Sequence, residues 1–413
     1  MHDFQYFCGR LRQIRKYMNR LFLTAFVALF SSAALAQRVI TVSVTNPMDA
    51  YRADQPVLIS LSDYGYVSRA IVTCDGSEIP CQLDDLNQDD TFDELCFLAN
   101  LHGKEKRQYQ VALYSDPKLQ PAQYPARVYA ELLLRNDKIK DKNKHNNYIQ
   151  SITARGDCAD SYHAVHHHGV AFESELNGIR IYFDKRQTLD LYGKFQKRLE
   201  LQATQFYTSE EQKAEGYGDD VLWVGNTFGL GAFRGWDGSQ PTMIDPVASR
   251  TQRIISYGPL RTIVEVVDKD WSYLSPLNVT LRYIQYAGHR DTDVEVYFTK
   301  PYVNMRDYLF STGLVNLKES QEYSDHSGLR GSWGQAVGLG ILIPKQYIIS
   351  EQPANADTYA FVIGTDSNTI KYKVTYTSDT ESFGYHSAHD WFNHLQQWRQ
   401  EVLQPVKVKV AKR

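Results

Sequence analysis

Residues 162–194 read YHAVHHHGVAFESELNGIRIYFDKRQTLDLYGK. Successive side chains of a β-strand point to opposite faces, and this stretch alternates in two runs. In the first, Val170, Phe172, Ser174 and Leu176 share a face opposite Ala171, Glu173 and Glu175. In the second, Ile179, Ile181 and Phe183 oppose Arg180, Tyr182 and Asp184. Asn177-Gly178 is a favoured tight-turn pair, so a hairpin is expected around it with both polar faces on one side. The triplet His166–His168 leads straight into these strands. One greasy face, and one of Glu, Arg and Tyr beside histidines, suits the floor of a polar-ligand site. A solvated outer face is the competing reading.

Outward from this hairpin the period stays near two. RVITVSVTN, VLISL, AIVTC, ELCFLANL and YQVALYS are short strand-like runs inside residues 38–116, the size and spacing of an immunoglobulin-like sandwich. Residues 115–125 carry three prolines and read as a linker, and KIKDKNKHNN (138–147) as a mobile polar loop. Longer strand runs follow at 261–267, 278–286, 293–299, 338–344, 359–365 and 371–377. The clear helix spans 388–404, with Trp391, Leu395, Trp398 and Val402 at helical spacing. The expected fold is all-β: the small sandwich, then a large antiparallel domain over 126–408 packed as two layers and closed by one C-terminal helix.

Leu21–Ala36 is an apolar run too short for a comfortable membrane span, preceded by Arg10, Arg12, Arg15, Lys16 and Arg20. It ends in Ala34-Leu35-Ala36, a small-x-small cleavage pattern, so residues 1–36 read as a signal peptide of a periplasmic or secreted protein. Met18 offers a more ordinary start, which would make 1–17 an upstream extension. No stable membrane insertion is expected after cleavage. Export permits disulfides, and Cys74 and Cys81, bracketing a turn, are the favoured pair. A net charge of −3 disfavours a nucleic-acid partner. The 28 Tyr, 18 Phe and 6 Trp suit both β-sheets and sugar-stacking surfaces.

His167 and His168 are the candidate acid/base histidines. Three consecutive strand residues diverge, so the His cluster is a poor metal cage. Asp85, Asn87, Asp89 and Asp93 fall at positions 1, 3, 5 and 9 of a loop, the pattern that wraps a structural calcium; an Asp-rich hairpin turn is the plain alternative. No cofactor is otherwise required. In GYGDDVLWVGNTFGLGAFRGWDG (216–238), Arg234 beside Trp236 suits a sugar carboxylate next to a stacking ring. GHRDTDVEVYF (288–298) adds His289 as a binding residue and Glu295 as a candidate base. No GxSxG element, nucleophilic Cys motif or dinucleotide fingerprint is present.

These stretches, with GPLRTIVEVV (258–267) and LDDLNQDDTFDEL (83–95), resemble a secreted bacterial family labelled a domain of unknown function. The resemblance covers nearly all of the expected mature chain. It implies a large domain similar to the galactose-mutarotase-like supersandwich, an architecture of sugar epimerases and of polysaccharide lyases and hydrolases. Family members accompany polysaccharide-degrading enzymes, which fixes no reaction.

The leading expectation is an exported enzyme acting on uronate-containing oligo- or polysaccharides by β-elimination. Arg180 or Arg234 would neutralise the carboxylate, His168 would take the proton and Tyr182 would protonate the leaving oxygen. Glu173 and Glu295 are further candidate catalytic groups. One alternative is an epimerase or a glycoside hydrolase, the latter needing two carboxylates. Another is a non-catalytic glycan-binding protein. His167, His168, Glu173, Arg180, Tyr182, Arg234, Trp236 and Glu295 are expected to line one cleft.

Overall fold

The computed structural model describes residues 38–156, 159–299 and 304–411; residues 1–36, expected to be a signal peptide, and Cys158 lie outside them. The small sandwich forms as the alternation demands. Strand Arg38–Thr45 buries Val42 and Val44, and pairs with Lys106–Tyr114, which pairs with Arg69–Cys74. A second sheet of Arg52–Ser60, Glu94–Leu101 and Cys81–Asp84 closes the core with Val57, Leu95 and Phe97. One strand was not foreseen. Lys407–Val410 returns to pair with Arg38–Thr45, so the 126–408 boundary cuts into a strand of the first sheet.

Cys74 and Cys81 are free thiols, not a disulfide. The turn between them joins Arg69–Cys74 and Ser77–Ile79 as a hairpin of one sheet, and Cys81 opens the strand Cys81–Asp84 of the other sheet. Cys74 Sγ reaches Asp75 and the Gln108 carbonyl, whereas Cys81 Sγ is buried against the Ala70 carbonyl and Tyr124.

The large unit stacks a nine-stranded sheet, running in order from Ser151–Arg155 to Gln321–Ser324, against two five-stranded sheets. One of these contains the opening hairpin, ordered Asp219–Asp220, Leu189–Gly193, Gly178–Tyr182, Gly169–Ser174, Val128–Glu131. The other contains Arg234–Trp236 and Phe310–Val315. Val170, Phe172, Ile179, Ile181, Leu189 and Leu191 face inward into a core shared with Val264, Leu281, Val296 and Phe310. The hairpin forms with Glu173 opposite Gly178, but its turn centres on Glu175-Leu176, closed by Ser174 N–H to the Asn177 carbonyl. Gly178 is therefore a strand residue.

The helix, α1 (Ala388–Leu403), lies on the outer face of the nine-stranded sheet through Trp391, Leu395 and Trp398. Glycines permit the approach. A Cβ at Gly340 would stand 2.5 Å from Leu395 Cδ2, and one at Gly338 2.8 Å from the Trp391 ring. The two units meet through Cys96 and Leu98 against Leu260 and Ile284, with Arg261 clamped between Asp84 and Glu94. The acidic motif at 83–95 thus partly serves this joint.

Candidate functional site

Strand register puts one polar row on the outer face of the hairpin sheet: Glu131, Ala171, Arg180 and Asp190 lie side by side. Arg180 donates from Nε and Nη2 to Asp190 and from Nη2 to Asp220, while Tyr182 Oη donates to the same Asp190 oxygen at 2.9 Å. Burial followed by Asp190 pushes the Asp220 carboxyl up to about 6. Phe206 covers the Arg180 guanidinium at 4.5 Å.

The His triplet folds as a 3₁₀ turn, with φ of 37° at His167 and 74° at His168. Left-handed backbone at two successive histidines costs on the order of 1–3 kcal/mol each and turns adjacent rings to different sides. His167 goes inward: its Nε2 lies 3.0 Å from Glu131 Oε1, both side chains fully buried. Burial pulls His167 down to about 3 and pushes Glu131 up to about 8, the Tyr129 hydroxyl partly opposing the latter. The pair is neutral, a carboxyl group bonded to an imidazole. His168 goes outward, stacked 4.5 Å from Tyr162, with Nε2 3.4 Å from Tyr207 Oη. Burial and then Arg180 hold His168 at about 4, so it is neutral at physiological pH.

Tyr207 reaches this place through a second strained turn, with positive φ at Gln205 and Phe206. The Gln205 side chain binds both N–H and C=O of His145, tying the 138–147 loop that sequence reading took as mobile. Between that loop and the His turn opens a cleft of about 310 Å³. His168, Tyr207 and Tyr162 form its polar floor, and Lys140, Lys142 and Arg135, the last paired with Asp137 at 3.0 Å, its rim.

Glu131 gives this site a pH signature. Its folded pKa lies above the ordinary value near 4.5, so its stabilisation is complete below that value and is lost as pH rises through about 8. His167 runs the other way and acts only below about 6.5. Between pH 6.5 and 8, wild type should therefore lose about 2 kcal/mol relative to Glu131→Gln. Urea melts of both proteins across that range check this, and parallel curves would refute it.

The remaining expected site residues lie elsewhere. Glu173 shares the polar face but is sealed in an ion pair with Lys194 at 2.5 Å, accepting the Glu200 and Leu201 amides as well. It faces no cleft because the 200–206 segment covers it. Arg234 and Trp236 belong to the other five-stranded sheet, where Arg234 lines a separate cleft and the Trp236 backbone is pinned by Tyr273. Glu295 is bound by Lys371 and Tyr297 on the nine-stranded sheet. His289 bridges Asp291 and the Asp54 carbonyl at the joint between units. The expected single cleft is thus reduced to His168, with His167, Arg180 and Tyr182 behind it.

The Asp loop does not gather into a cage. Asp85 accepts the amides of Gln88, Asp89 and Asp90, Asp93 accepts that of Leu86, and Asp89 turns to Thr91. Among the described residues no three His, Cys, Asp or Glu side chains are grouped to hold a metal.

The family described as "Domain of unknown function (DUF4861)" matches residues 44–408. The chain belongs to this family. No curated protein matches it. Among solved structures, an alpha-mannosidase from Enterococcus faecalis V583 aligns at 10% identity and a TM-score of 0.50, over 91% of this chain and 46% of that one. A protein in the Glycosyl Hydrolase Family 38 from Enterococcus faecalis aligns at 8% identity and a TM-score of 0.49, over 91% and 48%. The DUF4861 chain spans about half the length of these neighbours, and at such identity the first alignment establishes a shared sandwich fold. The DUF4861 residues that sequence reading missed are Glu131, Tyr162, Asp190, Tyr207 and Asp220. Asp190 alone carried a signal, as it alternates with Leu189 and Leu191 in a third strand whose other face is core.

Proposed function

We propose that this chain is an exported carbohydrate-active enzyme that acts on acidic saccharides in the His168–Tyr207 cleft, by β-elimination. The observation that carries the reading is the neutral His168 Nε2 facing Tyr207 Oη at 3.4 Å under a rim of Arg135, Lys140 and Lys142. His168 takes the proton alpha to the sugar carboxylate. That electron pair forms the new C=C bond as the C–O bond to the leaving group breaks, and Tyr207 protonates the departing oxygen. Return of the proton from His168 to Tyr207 resets the site. The basic rim stabilises the carboxylate charge that builds up. A bound carboxylate also raises the His168 pKa, which makes it a stronger base in the complex than in the free protein. The segment Leu21–Ala36 supports export, and the fold shared with an alpha-mannosidase is compatible with a sugar ligand.

A glycosidase is the second reading, favoured by one observation. Asp190 and Asp220 flank Arg180, and Asp220, pushed up to about 6, has the protonation range of a general acid. Purified protein incubated with uronate oligosaccharides and with neutral α-linked ones separates the two. Unsaturated, ultraviolet-absorbing product from the acidic set supports elimination. New reducing ends without unsaturation support hydrolysis, and no product from either set by folded protein rejects both.

A further inference from the structure

Four of the most deeply buried arginines in this fold come with a carboxylate. Arg180, Arg250, Arg261 and Arg330 are each at most 4% exposed. Their salt-bridge partners are Asp190 at 2.6 Å, Asp268 at 2.6 Å, Asp84 at 2.7 Å and Glu322 at 2.6 Å. Arg234, 2% exposed, has no such partner, and neither does Arg52, 8% exposed, whose hydrogen bonds run to the Gln404 and Glu401 carbonyls. The hydrogen bonds of Arg234 run to the Phe233 carbonyl, Thr188 Oγ1 and the Thr227 carbonyl, all uncharged oxygens. Asp184 is the nearest charge to influence Arg234, and that carboxylate is held by Arg186. A guanidinium has five N–H donors, so donors remain. A buried cation without a counter-ion carries a desolvation cost that neutral oxygens only partly offset.

Arg234 lines a cleft of about 500 Å³. Asn226 and Gln240 stand on its walls, both exposed, and the Gln240 side chain also reaches Asp237. Exposed amides, each with donors and acceptors, match sugar hydroxyls. Asp357, the one carboxylate on the lining, is exposed at the rim and solvated.

We propose that this cleft is a second ligand site, separate from the His168–Tyr207 cleft, in which Arg234 receives the carboxylate of a sugar acid and Asn226 and Gln240 its hydroxyls. The proposal does not depend on any reaction at His168. It predicts a saccharide-binding surface on the sheet of Arg234–Trp236, built on other elements than the hairpin sheet.

Calorimetric titration of the full chain with glucuronate, glucose and acetate tests it. Glucuronate should still bind Lys140→Ala/Lys142→Ala, in which the His168–Tyr207 cleft is weakened, and adding Arg234→Met to that variant should weaken the remaining binding by roughly 10- to 100-fold. Glucose, lacking the carboxylate, should bind far more weakly. If Arg234→Met does not fold, Asn226→Ala/Gln240→Ala decides, since both side chains are exposed. That variant should weaken glucuronate several-fold and leave acetate unchanged. Glucuronate binding to the lysine variant that survives Arg234→Met, or that is absent from the lysine variant altogether, would overturn the proposal. Acetate binding as tightly as glucuronate, with no effect of the amide variant, would overturn its sugar component.

Discussion

Tyr207→Phe is expected to lower turnover on an acidic oligosaccharide by roughly 10²- to 10⁴-fold, with KM and thermal stability close to wild type. In the proposed elimination the hydroxyl protonates the leaving oxygen, and its protein neighbours are His168 Nε2 and the Arg180 side chain. The ring keeps its edge contact with His166 at 5.5 Å, so deleting one oxygen leaves the packing intact. His168→Ala should cost a similar factor. Tyr182→Phe should behave differently, because Tyr182 Oη is bound to Asp190 and does not line the cleft. Its loss should appear mainly as destabilisation. Steady-state kinetics with parallel melting curves distinguish these cases. Equal kcat in Tyr207→Phe and wild type would remove Tyr207 from the mechanism.

Lys194→Met should produce the largest stability change, a loss of roughly 3–5 kcal/mol. Lys194 Nζ is fully buried and donates to Glu173 at 2.5 Å, to the Ser174 carbonyl at 2.7 Å and to the Arg198 carbonyl at 2.6 Å. Removing it leaves Glu173 with an uncompensated buried charge, held only by the Glu200 and Leu201 amides. The double variant Glu173→Leu/Lys194→Met removes both charges and should recover part of the loss. Urea denaturation checks both, and a change below about 1 kcal/mol in Lys194→Met would refute the argument. The pair also anchors the segment that carries Phe206 and Tyr207 over the sheet. Glu173 therefore supports the site from behind, a role its position on the polar strand face did not reveal.

Much of the architecture was legible because strand parity is a local signal. The inward row of Val170, Phe172, Ile179 and Ile181 and the outward row of Arg180 and Tyr182 fall where alternation puts them. The terminal helix follows its spacing of Trp391, Leu395 and Trp398. Parity could not say what covers a polar face. It is shielded from solvent by residues 200–207, so Arg180 and Glu173 became buried ion pairs. Nor could it say which sheet a later strand joins, and Arg234, Trp236 and Glu295 went to other sheets. Glu131 and Tyr207 lie in short segments without a motif, and their roles depend on a strained His turn and a strained 205–206 turn that propensity does not encode. The strand Lys407–Val410 pairs with a partner more than 360 residues away in sequence, beyond any local reading.

In the proposed reaction the His168–Tyr207 pair moves a proton at the carbon alpha to a sugar carboxylate. Proton NMR of a uronate oligosaccharide incubated with the protein in D₂O reads that step directly. The account predicts loss of the signal at that carbon, by elimination or by exchange for deuterium, with wild type and with Tyr182→Phe that remains folded. It predicts no such loss with His168→Ala. Retention of the proton signal while the chain is cleaved to saturated products would contradict it, and would move the chemistry to Asp190 and Asp220.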